Sequence, residues 1–180
     1  LQGYDWHLHN NSEQGLFIDS ATVVVDGLTT ADNGHSGAHI FDARYITLSN
    51  FTSTNDGSLG SNAMEQAGLS YQKSNDLETT SGDVACMNCH IEASQGHGVY
   101  VIDSVDLWLD QLSITGIDAS LPAMYVDNGG LTLGTQGGRF NLLNANIEHE
   151  SSTQYALYIE QAAGNIDGLT LQGNHSGIYW

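Results

Sequence analysis

One short phrase recurs seven times along the chain, and it constrains the fold more than any other feature. The phrase consists of a small residue, an aliphatic residue, usually an aromatic residue, and then another large apolar residue. It occurs at 15–18, 37–40, 68–71, 98–101, 123–126, 156–159 and 177–180. The spacing between starts ranges from 21 residues (Ala156 to Gly177) to 33 residues (Ala123 to Ala156). Variable spacing around a fixed phrase indicates one structural unit that accepts insertions at its corners.

A second phrase follows the first in most units, as at 109–114 and 166–171. It reads aliphatic, a nearby Asp or Asn, aliphatic, polar, aliphatic, and such alternation predicts a strand bounded by turn residues. The unit that begins at Ala123 is predicted to be irregular, with an extra residue between Leu142 and Ile147. A single unit cannot bury its apolar face alone, so we expect the units to stack into one continuous core.

Stacked units of this kind resemble the short repeats of the pectate-lyase-like right-handed parallel β-helix superfamily. The resemblance extends from Tyr4 to Trp180. It implies an all-β, right-handed, single-stranded parallel β-helix, a solenoid of about seven rungs over residues 1–180. Because the chain begins and stops within an apparent rung, we expect it to be a segment of a larger solenoid. The alternative is an antiparallel β-sandwich, which would not require the first phrase to recur.

Charge narrows the range of partners. Three Lys and Arg residues stand against 21 Asp and Glu residues, which gives a formal net charge of −18. Such a surface repels nucleic acid and anionic membranes, and no apolar run is long enough to span a bilayer, so neither is an expected partner. The same charge suits an extracellular or cell-surface location. Enzymes of the superfamily usually present basic residues to acidic substrates, whereas Arg44, Lys73 and Arg139 fall in separate rungs, which speaks against polyuronate lyase activity.

Strand alternation assigns the faces of the first phrase. Its second and fourth residues are predicted to point into the core, and its third residue to point outward. The outward column then contains Phe17, His39, Ser70, Tyr100, Tyr125, Tyr158 and Tyr179. With rungs about 4.8 Å apart, the four tyrosines would form a ladder. Three interpretations stay open: a glycan-binding surface, a strand preference with cross-rung stacking, or a contact with a neighbouring protein chain.

Two residues beyond the tyrosines, Asp127 and Glu160 occupy the same face in consecutive rungs. Their carboxylates would lie about one rung apart, similar to the ~5–5.5 Å separation of the catalytic pair in retaining glycosidases. The same pair would suit a Ca²⁺ ion, which prefers oxygen ligands. The third interpretation is two solvated acids on an acidic protein.

The segment 86–90 matches the attachment pattern of c-type haem, in which two thiols bond the haem and a histidine ligates iron. The repeat aligns Cys86 and Cys89 with Leu109 and Leu112, which are core positions, and turns His90 outward. Haem attachment needs all three side chains on one accessible side. We therefore predict buried cysteines, free or disulfide-linked, with haem c or another metal as alternatives. No cofactor is assigned, and Ca²⁺ is the other ligand considered.

The corners carry two further features. His35, His97 and His175 occupy a similar corner position, where we expect them to hydrogen-bond turn backbone. Insertions at 53–67, 73–84 and 128–140 are long enough to build the walls of a cleft.

The leading functional expectation is a non-catalytic extracellular module of a larger secreted or surface protein. It would act as a rigid spacer, an adhesin or a glycan-binding face. The alternative is a carbohydrate-active enzyme, a glycoside hydrolase or lyase on a neutral glycan, with Asp127 and Glu160 as its acids. A third is electron transfer through haem c. The expected partners are a glycan, a neighbouring protein chain, or a second copy joined end to end.

Overall fold

The computed structural model describes residues 1–42, 45–72, 82–102, 105–127, 139–151, 153–173 and 176–180. Within these ranges the protein is all-β, and no helix there could cross a membrane. The strands are β1 (Gln2–His9), β2 (Leu16–Asp19), β3 (Thr22–Ala31), β4 (Ala38–Phe41), β5 (Tyr45–Thr54), β6 (Leu69–Gln72), β7 (Gly82–Glu92), β8 (Val99–Ile102), β9 (Val105–Thr115), β10 (Met124–Asp127), β11 (Arg139–Leu143), β12 (Asn146–Glu148), β13 (Leu157–Glu160), β14 (Ala163–Asp167), β15 (Thr170–Gln172) and β16 (Ile178–Tyr179).

The strands form two parallel sheets. Sheet A has nine strands, in the order β1-β3-β5-β7-β9-β11-β14, with β12 and β15 continuing its last two rows. Sheet B has seven strands, in the order β16-β13-β10-β8-β6-β4-β2. The chain therefore passes alternately between the sheets, and the pairings on both are parallel throughout. The all-β, parallel part of the predicted fold is confirmed, and the antiparallel sandwich is wrong for the part of the chain that the structure describes.

A left-handed residue bends each long row of sheet A at its middle. These residues form one column with φ between 50° and 76°: Asp5, Gly27, Asn50, Asn88, Gln111, Asn144 and Gly168. The bend shifts the inward alternation by one residue. In β5 the buried residues are therefore Ile46, Leu48, Phe51 and Ser53, separated by two, three and two positions. This spacing is the second phrase of the sequence repeat.

The row formed by β11 and β12, in the unit that begins at Ala123, is regular. The prediction of an extra residue between Leu142 and Ile147 was therefore wrong. Leu142 pairs with Leu109 and Ile147 pairs with Ile114, so both intervals have the same length. Ala145, which is 2% exposed, takes the core position that a leucine holds in the neighbouring row. The small alanine hid the repeat because its apolar signal is weak.

The core lies on the inner faces of both sheets and consists of the columns predicted to point inward. On sheet B the buried pairs, none more than 2% exposed, are Ala38 and Ile40, Leu69 and Tyr71, Val99 and Val101, Met124 and Val126, and Leu157 and Ile159. Burial of each large aliphatic side chain contributes about 1.5–3 kcal/mol. The columns open at the last row, where Ile178 is 42% exposed and Trp180 is 55% exposed.

A buried carboxylate fixes the corner formed by the first insertion. Asp56 is fully buried, and its side chain accepts hydrogen bonds from the hydroxyls of Thr30 (2.8 Å) and Ser53 (2.7 Å). It also accepts from the backbone N–H (2.9 Å) and the side-chain amide (2.8 Å) of Asn33. Four donors satisfy a charge that would otherwise be costly to bury.

The insertion at 53–67 therefore stacks on its neighbours. On one side, the Gly57 N–H donates to the carbonyl of Asn33 (3.0 Å). On the other side, Gln95 N donates to the carbonyl of Asp56 (3.1 Å) and Gly96 N donates to that of Gln66 (3.0 Å). Rather than standing away from the sheets as a cleft wall, this segment is a hydrogen-bonded corner. Residues 73–81 and 128–138, the greater part of the other two predicted insertions, lie outside the described residues.

Candidate functional site: a tyrosine ladder on sheet B

Four tyrosines occupy one register position on four neighbouring strands of sheet B. Tyr100, Tyr125, Tyr158 and Tyr179 are successive partners across β8, β10, β13 and β16. Along the row, their ring centroids lie 5.2, 5.1 and 4.5 Å apart, with interplanar angles of 15°, 4° and 7°. We call this row the tyrosine ladder. The predicted outward column of tyrosines is confirmed.

The spacing determines which part of each ring faces solvent. Parallel rings at these separations cannot lie flat beside one another without a clash, so they overlap as an offset stack. Each interior ring therefore covers much of its neighbour's face, and the ladder presents ring edges and phenolic hydroxyls. A sugar ring would meet a row of hydrogen-bonding groups here, not an open aromatic platform.

Two further rings border the ladder, and sequence reasoning did not place them there. The His97 ring stacks on Tyr100, with centroids 5.1 Å apart, and lies 5.7 Å from Tyr125. The Tyr155 ring lies 6.3 Å from Tyr158 and 5.6 Å from Tyr179. Both residues come immediately before the small residue that opens the phrase, a position whose side chain reaches the third residue of a neighbouring unit. That shared position is the sequence signal that was missed.

The predicted corner role of the histidines is confirmed for His97 and wrong for His35. The Nδ1 atom of His97 lies 2.6 Å from the backbone oxygen of Pro122. Burial lowers the pKa of His97, and the hydrogen bond to Pro122 opposes that shift. The side chain of His35 pairs instead with the carboxylate of Glu13, at 3.0 Å. His175 lies outside the described residues.

On the strands that precede the tyrosine ladder, β6, β4 and β2, the third residue of the phrase is no longer tyrosine. Ser70 was predicted to face outward, yet it is fully buried. Its register neighbours are His39 and Tyr100, whose rings are large enough to cover so short a side chain. Beyond it, His39 and Phe17 form a separate ring contact, with centroids 5.3 Å apart. The buried serine thus separates the tyrosine ladder from this second aromatic pair.

Asp127 and Glu160 lie beside the ladder as predicted, since they are register partners on β10 and β13. The hydroxyl of Tyr158 donates to Oε2 of Glu160 at 3.1 Å. Burial, followed by this hydrogen bond and the Glu160 charge, raises the pKa of Tyr158 to about 12. Burial also raises the pKa of Tyr125, and the charges of Asp127 and Glu160 add to that shift. At neutral pH the phenols of Tyr125 and Tyr158 are therefore protonated and can donate hydrogen bonds.

The acid pair provides hydrogen-bond acceptors at the edge of the ladder. A Ca²⁺ ion takes six to eight oxygen ligands, and this pair supplies two carboxylates. Across the described ranges, no cluster of three or more His, Cys, Asp or Glu side chains is arranged to hold a metal ion. Carboxylates beside a row of phenols are well suited to accept hydrogen bonds from the hydroxyl groups of a ligand.

The cysteines lie on sheet A, in the register predicted for them. Cys86 pairs with Leu109 and Cys89 pairs with Leu112; both cysteines are buried, and they are joined by a disulfide. Residues three apart normally face opposite sides of a strand, and the left-handed residue between them brings both thiols to the inner face. The side chain of His90 is 46% exposed on the outer face, and its Nε2 atom lies 3.7 Å from Oε2 of Glu92. The three side chains of the haem pattern are therefore divided between two faces.

Comparison with known proteins gave no match: no family model, no curated protein and no solved structure is similar to this chain. The resemblance to pectate-lyase-like β-helices accordingly rests on the repeat phrases. Of the three basic residues predicted to lie in separate rungs, Arg44 and Lys73 fall outside the described residues, and Arg139 opens β11. Function is therefore inferred from the geometry of the two sheets.

Proposed function

We propose that the chain is a right-handed, single-stranded parallel β-helix of about seven rungs that binds a neutral glycan without cleaving it, at the surface of a cell or outside it. The regular passage of the chain between two parallel sheets supports the coil. A right-handed crossover is the strong preference for parallel strands joined in this way. The stacked core makes such a coil a rigid display surface, suited to a spacer or an adhesin.

The tyrosine ladder carries the proposal. It repeats one group, the phenolic hydroxyl, at intervals of 4.5 to 5.2 Å between ring centroids, and two carboxylates that accept hydrogen bonds flank its two middle tyrosines. A polymeric ligand with a similar repeat would make equivalent contacts at successive units. With a net charge of −18, the protein repels acidic glycans, which favours a neutral one.

A hydroxyl-deleting substitution tests this function without disturbing the stack. Tyr125→Phe keeps the ring and removes the donor, so its affinity for the glycan should fall about threefold to tenfold. Tyr4→Phe is the matched control, because Tyr4 is 69% exposed on sheet A. Isothermal titration with cello-, xylo-, manno- and laminari-hexaose supplies the measurement. Equal affinity of wild type and Tyr125→Phe would contradict a role for the ladder.

The second candidate is a glycoside hydrolase, and the register pairing of Asp127 with Glu160 favours it. The double change Asp127→Asn and Glu160→Gln separates the two functions. A binding module loses affinity and never releases shortened sugars, whereas an enzyme loses hydrolysis. If the pair instead holds Ca²⁺, millimolar calcium raises the melting temperature of the wild type and leaves that of the double variant unchanged.

A second copy of the chain is the alternative partner. β2 and β16 are the outer strands of sheet B, and outer strands carry unpaired backbone groups that can pair with another chain. Tyr179 (42%) and Trp180 (55%) are exposed beside that edge. Sedimentation equilibrium at micromolar protein tests end-to-end association, which Trp180→Glu should weaken. A monodisperse monomer would contradict it.

A further inference from the structure

A groove of about 370 Å³ lies on the outer face of sheet A, away from the tyrosine ladder on sheet B. Three adjacent strands, β7, β9 and β11, form its floor. Its outward-facing lining consists of Asp83, Ala85, Asp106, Trp108, Arg139 and Asn141. The groove combines one aromatic ring with groups that donate and accept hydrogen bonds.

Trp108 differs from the ladder tyrosines in what lies on either side of it. It is 46% exposed, and its register partners are Ala85 on β7 and Asn141 on β11. Neither neighbour is aromatic, so the indole is not enclosed in a stack of rings. A large aromatic side chain held half-exposed between a small residue and a polar one leaves apolar surface open to a ligand.

The polar groups of the groove are both acidic and basic. Asp83 and Asp106 are register partners, and Oδ1 of Asp106 accepts a hydrogen bond from the backbone N–H of Arg139 at 2.7 Å. Arg139 is one of only three Lys or Arg residues in the sequence. Within the described part of the chain, no ion pair forms at its guanidinium, although two carboxylates line the same groove. The guanidinium contributes hydrogen-bond donors to the lining of the groove.

We propose that this groove is a second saccharide site, which binds one or two neutral pyranose units. The apolar face of the sugar would pack on the Trp108 indole. Its hydroxyls would donate to Asp83 and Asp106 and accept from Arg139 and Asn141. An acidic sugar is disfavoured because the two carboxylates outnumber the one guanidinium in the groove. This site does not depend on the tyrosine ladder, so each can bind if the other does not.

Substitutions at the groove test the second site against matched controls. The probes are the same four neutral hexaoses, measured by isothermal titration and by quenching of tryptophan fluorescence. Trp108→Ala should weaken binding at this site at least about tenfold, and Trp108→Phe, which keeps a ring, should weaken it less. Phe17→Ala removes a similarly exposed ring from sheet B and should leave the groove's affinity unchanged. Tyr125→Phe should also leave it unchanged, which separates failure of this site from failure of the ladder.

Three results would overturn the assignment. The first is wild-type affinity of both Trp108 variants for every hexaose, with melting temperatures that show them folded. The second is that none of these sugars binds to the wild type in a way that depends on Trp108. The third is Trp108-dependent binding of galacturonate or tetramethylammonium in preference to the neutral sugars, which would assign the groove to a charged ligand.

Discussion

At the scale of single residues, conformation and hydrogen bonding decide which side chains reach the core. Asn50 takes a left-handed conformation with φ of 52° and links three rows of sheet A. Its amide donates to Asp26 at 2.6 Å, and its oxygen accepts from Asn88 at 2.6 Å. Asparagine tolerates this conformation better than most residues with a Cβ, and its amide bonds along the column. The asparagine at position 50 thus accounts both for the bend of its row and for the side-chain hydrogen bonds to the two neighbouring rows.

Substitution of Asn50 separates the cost of the bend from that of the hydrogen bonds. Asn50→Gly and Asn50→Val both remove the two amide contacts, but only valine strains the left-handed backbone. We expect Asn50→Val to be about 1–2 kcal/mol less stable than Asn50→Gly in urea unfolding. Equal stabilities of the two variants would show that the bend does not require a left-handed residue.

Asp56 gives the second prediction at this scale. Asp56→Ala leaves the donors of Thr30, Ser53 and Asn33 buried without their acceptor, so it should lower the free energy of unfolding by about 3 kcal/mol. Asp19→Ala is the control, because Asp19 is exposed and its carboxylate accepts a hydrogen bond from the hydroxyl of the neighbouring Ser20. Urea denaturation of both variants provides the comparison. A loss at Asp56 no larger than that at Asp19 would contradict the role of the buried carboxylate.

At the scale of the strands, alternation in the sequence predicts which face of the sheet a residue occupies. It does not predict how far the side chains of neighbouring rows bury that residue. The inward columns and the Tyr125–Tyr158 stack follow from a period of two, which is local to each strand. Burial of Ser70 could not be read from the same pattern, because it depends on the rings in neighbouring rows. The groove at Trp108 was missed for a similar reason. Its lining comes from three strands, and no single phrase carries its signal.

The raised pKa values in the tyrosine ladder predict how the stability of the fold responds to alkaline pH. The folded protein raises the pKa of Tyr158 to about 12, above the ordinary value of 10. Above pH 10 the unfolded chain therefore loses this proton first, so the stabilising contribution is complete below pH 10 and is lost as the pH rises towards 12. Tyr125 contributes in the same direction.

Urea midpoints measured between pH 9 and pH 12 test this directly. The wild type should lose stability over that range more steeply than the double variant Tyr125→Phe and Tyr158→Phe, which cannot ionise at these positions. Tyrosinate absorbance, recorded in parallel, should show the corresponding late ionisation. Identical pH profiles for the two proteins would contradict the coupling between the ladder and the fold.

At the scale of the whole molecule, two parallel sheets display two different surfaces. Sheet B carries a stacked row of phenols beside Asp127 and Glu160, and sheet A carries a groove with an open indole at Trp108. The repeat phrase determines the first surface, since it places a tyrosine at the same position in successive units. The second depends on one tryptophan and one arginine that do not repeat. We propose that these two surfaces hold a neutral glycan at separate places.

Binding without cleavage is the central claim, and one measurement addresses both parts of it. Fluorescently labelled neutral hexaoses are incubated with the wild-type protein and passed through a gel-filtration column, and the length of the labelled sugar is determined in each fraction. We expect label to co-elute with the protein in a saturable manner and to keep its full length. Shortened label, or no co-elution with any of the four sugars, would contradict the account.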